Sequence, residues 1–551
     1  MRIQGRGHDR RRKPLRAAAG VALATLLASC AGAQGIARSG DPAVTVGSPP
    51  ASPGTPSPTT SPPPTTTVPS PTPVGPANLP PGFGAGPAGH GMSRFYDQQV
   101  SWSDCGGGDQ CASVWVPLDY TKPEGAAITI RAKRQPATDP GKRRGTLFIN
   151  PGGPGGSGID YLSFIHLGFR VTSVYDVVGF DPRGVGTSTP IDCISDHDLD
   201  VYDASDPSPD NSTEVAQFQA EWKHFTSGCV QHSGPLLDHV STIEAAKDMD
   251  VLRAVVHDSR LNYFGASYGT YLGATYAALF PTKVGKMVLD GAVDPLAKPI
   301  TAELGQAAGF EHEMTAYLTY CVAQGNCPLG STVAGARLRL INLFKQVDAH
   351  PLPTSTGRQV TEGLAFLGVI VPLYSQQNWP YETDALRQAV QGSGDILLLL
   401  ADDYTGRQHD GSYKDNSMEV QSAVNCLDHP EHETLAQIEQ GRAQFLKVSP
   451  VFGPVAMWWP YACSNWPVKP TQAPPNYAAK GAPPIVVIGT TRDPATPYQQ
   501  AVNLSKELDS GVLLSRNGDG HTAYDSGNMC IKSKVDTYLI GGAVPKNGTM
   551  C

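Results

Sequence analysis

Residues 261–280 have the sequence Leu-Asn-Tyr-Phe-Gly-Ala-Ser-Tyr-Gly-Thr-Tyr-Leu-Gly-Ala-Thr-Tyr-Ala-Ala-Leu-Phe. Residues 261–264 predict a buried strand, and residues 271–280, followed by Pro281, predict a helix. The turn between them has the pattern Gly-x-Ser-x-Gly, centred on Ser267, which is typical of a nucleophile elbow. Its two glycines would let strand and helix approach closely and leave the Ser267 hydroxyl clear of the backbone. We therefore predict that Ser267 is a nucleophile, against the alternative of an ordinary glycine-rich turn.

The chain on either side alternates strand and helix patterns. Ser241-Thr-Ile-Glu244 resembles a capping box that opens an amphipathic helix. Strands that alternate with helices indicate a mostly parallel sheet covered by helices on both faces. The predicted fold class is therefore α/β. The strands are predicted at residues 114–118, 128–132, 146–150, 174–180, 261–264, 284–289, 485–488 and 512–514.

A serine hydroxyl is a weak nucleophile at neutral pH, so it needs a histidine as base and an acid that orients the histidine. Asp493 and His521 each lie in a loop after a predicted strand near the C-terminus, which gives the chain order serine, acid, histidine. We predict these two residues as the acid and the base. Asp294 is the reserve acid, whereas Asp519 is too close in sequence to His521 to reach around its ring.

The N-terminal segment has the pattern of an export signal. Seven Lys or Arg and one Asp in residues 1–16 precede an apolar run, residues 17–28, that is too short for a permanent membrane span. The run is followed by a cysteine in Leu-Ala-Ser-Cys, which resembles a bacterial lipobox and predicts lipidation of Cys30. An ordinary signal peptide is the alternative, and the paired arginines also permit twin-arginine export. We expect either a cell-surface lipoprotein on the outer face of the cytoplasmic membrane or a secreted protein.

Residues 31–91 are predicted to form a disordered tether. From residue 42 to residue 81 there are 15 prolines in 40 positions, mixed with Ser, Thr and Gly. Such a segment cannot bury enough apolar area to offset its chain entropy. The whole chain has a formal net charge of -8 although its first 16 residues are basic. The exported part is therefore acidic, which argues against nucleic-acid binding.

Ten cysteines follow Cys30, and an even number in an exported chain predicts disulfides because the compartment oxidises thiols. Sequence alone does not define the connectivity, and we predict that sequential neighbours pair. The chain has no Cys-x-x-Cys pair, and its histidines near residues 429–432 lie in acidic loop sequence, so no metal site is predicted. The cysteines are Cys105, Cys111, Cys193, Cys229, Cys321, Cys327, Cys426, Cys463, Cys530 and Cys551.

A tetrahedral intermediate needs backbone amides aimed at its oxyanion. We predict that Tyr268, the residue after the nucleophile, supplies one amide and that Gly153 supplies the other. Residues 153–158 also match the Gly-x-Gly-x-x-Gly pattern of dinucleotide-binding folds, with Asp181 as a ribose ligand. Pro154 removes an amide from such a phosphate loop, and an exported protein has little access to nicotinamide. We therefore predict no cofactor.

Five motifs together resemble the exported tripeptidyl aminopeptidases of actinobacteria, which belong to the prolyl aminopeptidase branch of the α/β-hydrolases. The resemblance covers the chain from about residue 95 onward and places the family's serine, aspartate and histidine on Ser267, Asp493 and His521. One departure is Pro151, where prolyl aminopeptidases have a histidine. The motifs are Asn-Pro-Gly-Gly-Pro-Gly-Gly-Ser-Gly (150–158), Val-Gly-Phe-Asp-Pro-Arg-Gly-Val-Gly-Thr-Ser (178–188), Phe-Gly-Ala-Ser-Tyr-Gly-Thr-Tyr-Leu-Gly (264–273), Asp-Pro-Ala-Thr-Pro (493–497) and Gly-Asp-Gly-His-Thr (518–522).

The resemblance implies an α/β-hydrolase core with a mainly helical cap inserted before the acid. Helical patterns at residues 302–320, 336–347 and 435–445 agree with such a cap. We therefore divide the chain into a signal segment, a tether, a first part of the core, a cap and a second part of the core, with the bounds 1–30, 31–91, 92–295, 296–474 and 475–551.

The resemblance also implies a serine aminopeptidase that releases short peptides, such as tripeptides, from free N-termini. Such an enzyme must bind an ammonium group, for which a carboxylate is the natural partner. We favour Asp428, because its segment Ala-Val-Asn-Cys-Leu-Asp resembles a recurring family segment, although it could be a surface acid beside a disulfide. The other candidate carboxylates in the cap are Glu311, Glu313 and Glu431, and Trp458, Trp459 and Trp466 would either line a substrate pocket or pack in the core.

Two alternative functions stay open at this point. A carboxylesterase or lipase would use the same triad and oxyanion hole. A non-catalytic, surface-binding lipoprotein would need neither, so an intact triad argues against it. The expected partners are peptides or proteins with free N-termini, and the membrane only through the N-terminal lipid. The oligomeric state is not defined by the sequence.

Overall fold

The structure is a computed structural model that describes residues 82–429, 433–464 and 466–551. The predicted signal segment, the lipidation site Cys30, the greater part of the tether and the candidate carboxylate Glu431 lie outside these residues.

The strands that the structure describes are mostly short and include every strand predicted from the sequence. Two of them, β5 and β6, are buried at every position, as expected for apolar strands covered on both faces. The strands are β1 (Phe83–Gly84), β2 (Ser103–Asp104), β3 (Gln110–Pro117), β4 (Ala127–Gln135), β5 (Gly145–Asn150), β6 (Tyr175–Phe180), β7 (Leu261–Ala266), β8 (Val284–Asp290), β9 (Leu352–Pro353), β10 (Gln359–Val360), β11 (Ile485–Arg492), β12 (Gly511–Asp519) and β13 (Thr549–Met550).

One large sheet has the strand order β13-β12-β11-β8-β7-β5-β6-β4-β3-β2, with β1 beside β4. Neighbours from β13 to β6 are parallel, and those from β6 to β2 are antiparallel. The predicted mostly parallel sheet is therefore confirmed. Strand β7, which leads into the elbow, lies inside the sheet between β5 and β8, so the loops after these parallel strands emerge at one edge.

Helices follow most of the parallel strands and fill the chain between β8 and β11. They are α1 (Ser93–Tyr96), α2 (Gly158–Tyr161), α3 (Phe169–Val174), α4 (Asp196–Asp203), α5 (Ser212–Ser233), α6 (Thr242–Val255), α7 (Tyr268–Leu279), α8 (Pro299–Ala323), α9 (Val333–Ala349), α10 (Glu362–Ile370), α11 (Trp379–Ala389), α12 (Asp395–Thr405), α13 (Ser417–Asp428), α14 (Leu435–Val448), α15 (Gly453–Ala456), α16 (Tyr498–Glu507) and α17 (Met529–Gly541).

The predicted capping box at the start of α6 is only half formed. The Ser241 hydroxyl accepts the amide of Glu244 at 3.3 Å, as expected of an N-cap. The carboxylate of Glu244 instead lies 2.9 Å from the ring Nδ1 of His239 and 3.8 Å from the guanidinium of Arg183. The Glu244 side chain therefore contacts His239 and Arg183 instead of the backbone amide at the start of the helix.

Arg183, in the motif of residues 178–188, is buried and organises one side of the core. Its guanidinium binds both carboxylate oxygens of Asp248 on α6 at 2.7 Å. It also donates to the backbone carbonyls of Pro117 and Leu118, at the end of β3. A buried charge is stable only when it is fully paired. Because the partners of Arg183 come from α6 and from the end of β3, the motif joins this helix to the antiparallel part of the sheet.

The helices between β8 and β11 have a hydrophobic cluster of their own, formed mainly by α8 to α12 with Val451, Phe452 and Val455. Helix α13 is different, because its buried apolar residues pack with those that cover the sheet. Residues 417–428, which the sequence analysis assigned to the cap, therefore pack with the core. The sequence patterns did not reveal α10 to α13 as separate helices.

The described fold also begins earlier than the predicted boundary at residue 92. Phe83 and Gly84 pair antiparallel with Ile128 and Ala127 of β4. At least these residues of the predicted tether are therefore part of the sheet.

Five disulfides join sequential cysteines, which is the predicted pairing: Cys105–Cys111, Cys193–Cys229, Cys321–Cys327, Cys426–Cys463 and Cys530–Cys551. Disulfides agree with an exported protein. Within the described ranges, no helix is both long and apolar enough to cross a membrane.

Candidate active site

Ser267 occupies the turn between β7 and α7 in a strained backbone conformation, with φ 55° and ψ −128°. Left-handed φ values are uncommon for non-glycine residues and concentrate at functional sites. The two motif glycines are required by close packing. A Cβ on Gly265 would lie 2.3 Å from the carbonyl oxygen of Gly269, and a Cβ on Gly269 would lie 2.8 Å from that of Asn150. The local structure is therefore the tight strand-to-helix turn that the sequence pattern predicted.

The loops after β11 and β12 bring Asp493 and His521 together. The ring Nδ1 of His521 lies 2.8 Å and 3.0 Å from the two carboxylate oxygens of Asp493. The same carboxylate accepts the amides of Ala495, Thr496 and Thr522 at 2.9–3.1 Å. These bonds orient the acid and hold the tautomer in which Nδ1 carries the proton.

The charge state of His521 depends on two opposing effects. Burial, the largest single effect, disfavours its protonated form, but the charge and hydrogen bond of Asp493 and the charge of Asp290 together raise the pKa of His521 above its ordinary value. Its other ring nitrogen, Nε2, is buried and has no hydrogen-bond partner among the described residues. The bond to the Ser267 hydroxyl that proton transfer requires is therefore not formed in this state. Hydrogen bonds of this kind often tighten only when substrate binds.

A residue between β8 and β11 also fixes the position of the histidine. The backbone carbonyl of Tyr374 accepts the amide of His521 at 2.8 Å, and the two rings meet edge to face at 5.5 Å. Phe310 of α8 packs in turn against the Tyr374 ring at 5.8 Å. The segment between β8 and β11 thus packs directly on the histidine loop.

The glycine-rich loop after β5 reaches the elbow through Gly152. A Cβ on this residue would lie 2.8 Å from the Ser267 Cβ and 2.9 Å from the Tyr268 amide nitrogen. The amide of Gly152 donates to the Asn150 side chain at 3.0 Å. The predicted oxyanion donor Gly153 follows directly, and its amide has no acceptor in the part of the chain that the structure describes. No pattern in the sequence distinguished Gly152 from its neighbouring glycines as the point of closest approach.

Asp181, the acid of the competing dinucleotide pattern, is hydrogen-bonded within the fold. Asp181 accepts the Ser157 hydroxyl at 2.6 Å and the Thr187 amide at 2.9 Å. It thereby holds the end of the glycine-rich loop against the turn after β6. These contacts give the acid at this distance from the glycines a structural role.

Asp294, the reserve acid, has other partners. Its carboxylate accepts the Asn503 side chain at 2.7 Å and the Leu296 amide at 2.9 Å. Asp519 pairs with Arg492. The structure therefore places Asp493, and neither of these acids, at the ring of His521.

A further acid, Asp290, was missed from the sequence. It ends β8, and its carboxylate accepts the amides of Ala523 and Tyr524 at 2.8–3.1 Å. Burial raises the pKa of Asp290 to about 6 in spite of these two bonds. The only available signal was an acid at the carboxyl end of a buried strand.

The carboxylates proposed to bind an ammonium differ in their contacts. Asp428 accepts both the amide and the hydroxyl of Thr242, and burial raises its pKa to about 7. Glu311 accepts the Ser449 hydroxyl and the Val451 amide. Glu313 has 0% exposure, and both of its carboxylate oxygens are without a hydrogen-bond partner within the described ranges.

The tryptophans are engaged in packing. The Trp458 ring lies tilted against Phe218 at 5.5 Å, and the Trp466 ring lies 6.2 Å from that of Trp222. Trp459 meets Phe366 edge to face at 6.4 Å. Of the two interpretations of these side chains, packing describes their position.

Two further groups bring three potential metal-ligand atoms together. Their members are Asp119, His239 and Glu244 in one group and Asp206, Glu214 and Asp348 in the other. In the first group, the acid Glu244 is already paired with His239 and Arg183. Neither group includes a residue of the site described above.

A mostly parallel α/β sheet with a serine on a strained strand-to-helix turn and an Asp–His pair at the same edge defines a serine hydrolase of the α/β-hydrolase fold.

A family model described as TAP-like protein matches residues 449–551. The chain is 41% identical over 478 residues to Serine protease Hip1 of Mycobacterium tuberculosis, and the aligned region covers 82% of this chain and 91% of that protein. It is 37% identical over 453 residues to Carboxylesterase B of the same species, with 80% and 86% covered. It is 32% identical over 474 residues to Tripeptidyl aminopeptidase of Streptomyces coelicolor, with 82% and 86% covered.

The chain therefore belongs to the TAP-like family of α/β-hydrolases, and it is a serine hydrolase of that family.

Proposed function

We propose that the protein is an aminopeptidase that releases short peptides, tripeptides in particular, from free N-termini through an acyl-enzyme on Ser267. The observation that carries the proposal is the Asp493–His521 pair, which lies at the same sheet edge as the strained elbow. Relatives named Serine protease Hip1 and Tripeptidyl aminopeptidase support peptides as substrates.

The residues suggest a conventional acyl-transfer mechanism. His521 would accept the hydroxyl proton through Nε2 as Ser267 attacks the scissile carbonyl. The amides of Gly153 and Tyr268 would bind the oxyanion, and first-turn amides such as that of Tyr268 have no partner within their helix. His521 would then donate its proton to the leaving amine. Water, deprotonated by the same ring, would hydrolyse the acyl-enzyme and release the peptide.

For the substrate ammonium, Glu313 is a better candidate than Asp428, which the sequence favoured. Helix α8 lies along the acid loop, because the Gln306 side chain donates to the Ala495 carbonyl at 2.8 Å and a Cβ on Gly309 would lie 2.5 Å from the Pro494 carbonyl oxygen. Glu313 is one turn beyond Gly309 on that face.

The electrostatic surroundings of Glu313 suit a cation. Burial and the negative charges of Asp519 and Asp493 raise its pKa to about 8, although the nearby Gly520 amide, which is too poorly placed for a regular hydrogen bond, and the charge of Arg492 lower it. An ammonium beside it would supply the missing partner and stabilise the ionised carboxylate. Asp428 already has Thr242 as its partner, so we propose it as the second choice.

We also propose the wider organisation that the sequence implied. Residues 1–30 would direct export, with Cys30 lipidated, and a tether would link this anchor to the core on the outer face of the cytoplasmic membrane. Residues 296–474, apart from α13, would form the cap that limits access to N-terminal residues. Secretion after ordinary signal cleavage is the alternative.

The test is hydrolysis by the purified mature protein of matched peptides that differ only in a free or an acetylated N-terminus. Cleavage of the free peptide alone, with a tripeptide as product, would support the proposal if Ser267→Ala abolishes it. Equal cleavage of both peptides would contradict amine recognition and indicate an endopeptidase. The relative named Carboxylesterase B makes an esterase the second candidate, and turnover of esters without peptides would establish it. Binding of peptides without hydrolysis of either peptides or esters would indicate the non-catalytic lipoprotein.

A further inference from the structure

The backbone immediately after His521 is strained. Thr522 has φ 64°, a left-handed value that is unfavourable for a β-branched residue. Such a conformation persists only where neighbouring contacts hold it. The contacts at this turn therefore determine where the imidazole of His521 is directed.

Two carboxylates hold three successive amides of this turn. Asp493 accepts the amide of Thr522 at 3.1 Å. Asp290 accepts the next two, from Ala523 at 3.0 Å and from Tyr524 at 2.8 Å. Asp290 is 1% exposed and forms no salt bridge with any residue that the structure describes. Its charge is therefore stabilised mainly by the backbone of the histidine loop.

The same residue contacts the nucleophile turn. The backbone carbonyl of Asp290 accepts the amide of Ser267 at 2.9 Å. The following residue, Gly291, lies so close to the histidine that a Cβ there would be 3.1 Å from the ring Cε1. Asp290 thus contacts the backbone of both the nucleophile turn and the histidine loop.

We propose that Asp290 is a positioning residue that fixes His521 relative to Ser267 by holding the amides of Ala523 and Tyr524. This inference rests on the proposed roles of Ser267 and His521, but not on the nature of the substrate. Asp493 orients the ring from its Nδ1 side, and Asp290 would hold the backbone that carries the ring. Both are needed, because a displacement of about 1 Å in a catalytic group can cost about a hundredfold in rate.

Asp290 also adds a second negative charge near the histidine, and this charge raises the pKa of His521 after the larger effect of Asp493. The other titratable and charged groups around this turn are Asp493, Asp519, Asp525, Glu313, Tyr161 and Arg516. Of these, Arg516 donates to the Thr522 carbonyl at 3.3 Å. Replacement of Asp290 by Asn should therefore lower the pKa of His521. The acid limb of the reaction would shift to lower pH, which a purely structural role would not cause.

The test uses Asp290→Asn in the mature protein and measures the rate of covalent labelling by a fluorophosphonate, which requires the serine and histidine but no peptide specificity. We expect labelling to slow by about tenfold to a hundredfold and its acid limb to shift to lower pH. Asp294→Asn is the matched control, because this acid lies four residues on and contacts Asn503 instead. Labelling by this control should match the wild type.

A folded Asp290→Asn protein with wild-type rate and acid limb would overturn the inference. If this variant does not fold, Asp290→Glu supplies the second test, because it keeps the charge but moves the carboxylate relative to the amides of Ala523 and Tyr524. We expect labelling to slow by about tenfold or more. A folded Asp290→Glu protein that labels at the wild-type rate would overturn the inference. Failure of wild-type labelling, or labelling of Ser267→Ala, would instead contradict the proposed nucleophile.

Discussion

A methyl group on Gly152 would lie 2.8 Å from the Cβ of Ser267. The φ of Gly152 is +103°, a value that other residues rarely adopt. The loop after β5 can therefore approach the nucleophile this closely only because its residue at the contact has no side chain. The proposed alignment of the Gly153 and Tyr268 amides therefore requires this close approach.

Gly152→Ala should accordingly abolish most of the activity. The added Cβ must displace either the loop or the elbow, so the oxyanion donors would lose their alignment, and removal of one such donor costs about 10²–10³-fold in kcat. Hydrolysis of an activated ester measures the loss. Gly141→Ala is the control, because its Cβ would meet only Asp139 at 3.6 Å. Activity of Gly152→Ala within a factor of three of the control would contradict this assignment.

Asp493→Asn should lower kcat by about 10³–10⁴-fold, because Asn does not hold the imidazole in the required tautomer and does not stabilise its charged form. Since Asp493 raises the pKa of His521, the residual activity should also have its acid limb at lower pH than the wild type. The pH dependence of kcat/KM measures both effects. Asp294→Asn serves as the control, and the roles of the two acids would be exchanged if that variant alone lost activity.

Glu313 should make stability depend on pH. Its pKa is raised in the folded state, so its contribution to stability is complete below the pKa of the unfolded chain, near 4.5, and is lost as pH rises through about 8. Glu313→Gln should therefore flatten the loss of Tm between pH 5 and pH 9, by an amount equivalent to about 2 kcal/mol or more.

The matched comparison for this effect is Glu382→Gln. Glu382 is equally buried, and its carboxylate oxygens also have no partner within the described ranges. Burial alone raises its pKa, without the negative charges that act on Glu313. Both variants should flatten the Tm profile, but only Glu313→Gln should weaken binding of substrates with a free amine. A larger KM for such peptides in Glu382→Gln alone would contradict the choice of Glu313.

The disulfides should differ in their contribution to stability. Cys193–Cys229 closes a loop with a sequence separation of 36, and Cys105–Cys111 one of only 6. From loop-closure entropy, removal of the first should cost about 4 kcal/mol and removal of the second about 2 kcal/mol. Double Cys→Ala variants unfolded in guanidinium chloride would give both values. Equal losses would show that effects other than chain entropy dominate.

Local sequence patterns predicted the parts of this fold that depend on neighbouring residues. The continuous apolar run of residues 485–488 predicted β11, because a strand buried on both faces favours apolar residues at successive positions. The Gly-x-Ser-x-Gly turn predicted the elbow, because its sterics involve residues close in sequence. The capping box at Ser241 was half wrong, because Arg183, which is far away in sequence, attracts the Glu244 side chain.

The sequence by itself determined the α/β class and the strained serine turn, and it placed a candidate acid and base after the serine in chain order, but it left the cysteine pairing undefined. Only the tertiary structure decided which acids have partners. Asp428 meets Thr242 across 186 residues, and Asp290 meets Ala523 across 233. It also showed that Glu313 is left with no partner in the described ranges and that α13 packs with the core. The physical reason is that a carboxylate's role depends on its solvation and its partners, which distant segments supply only after the chain has folded.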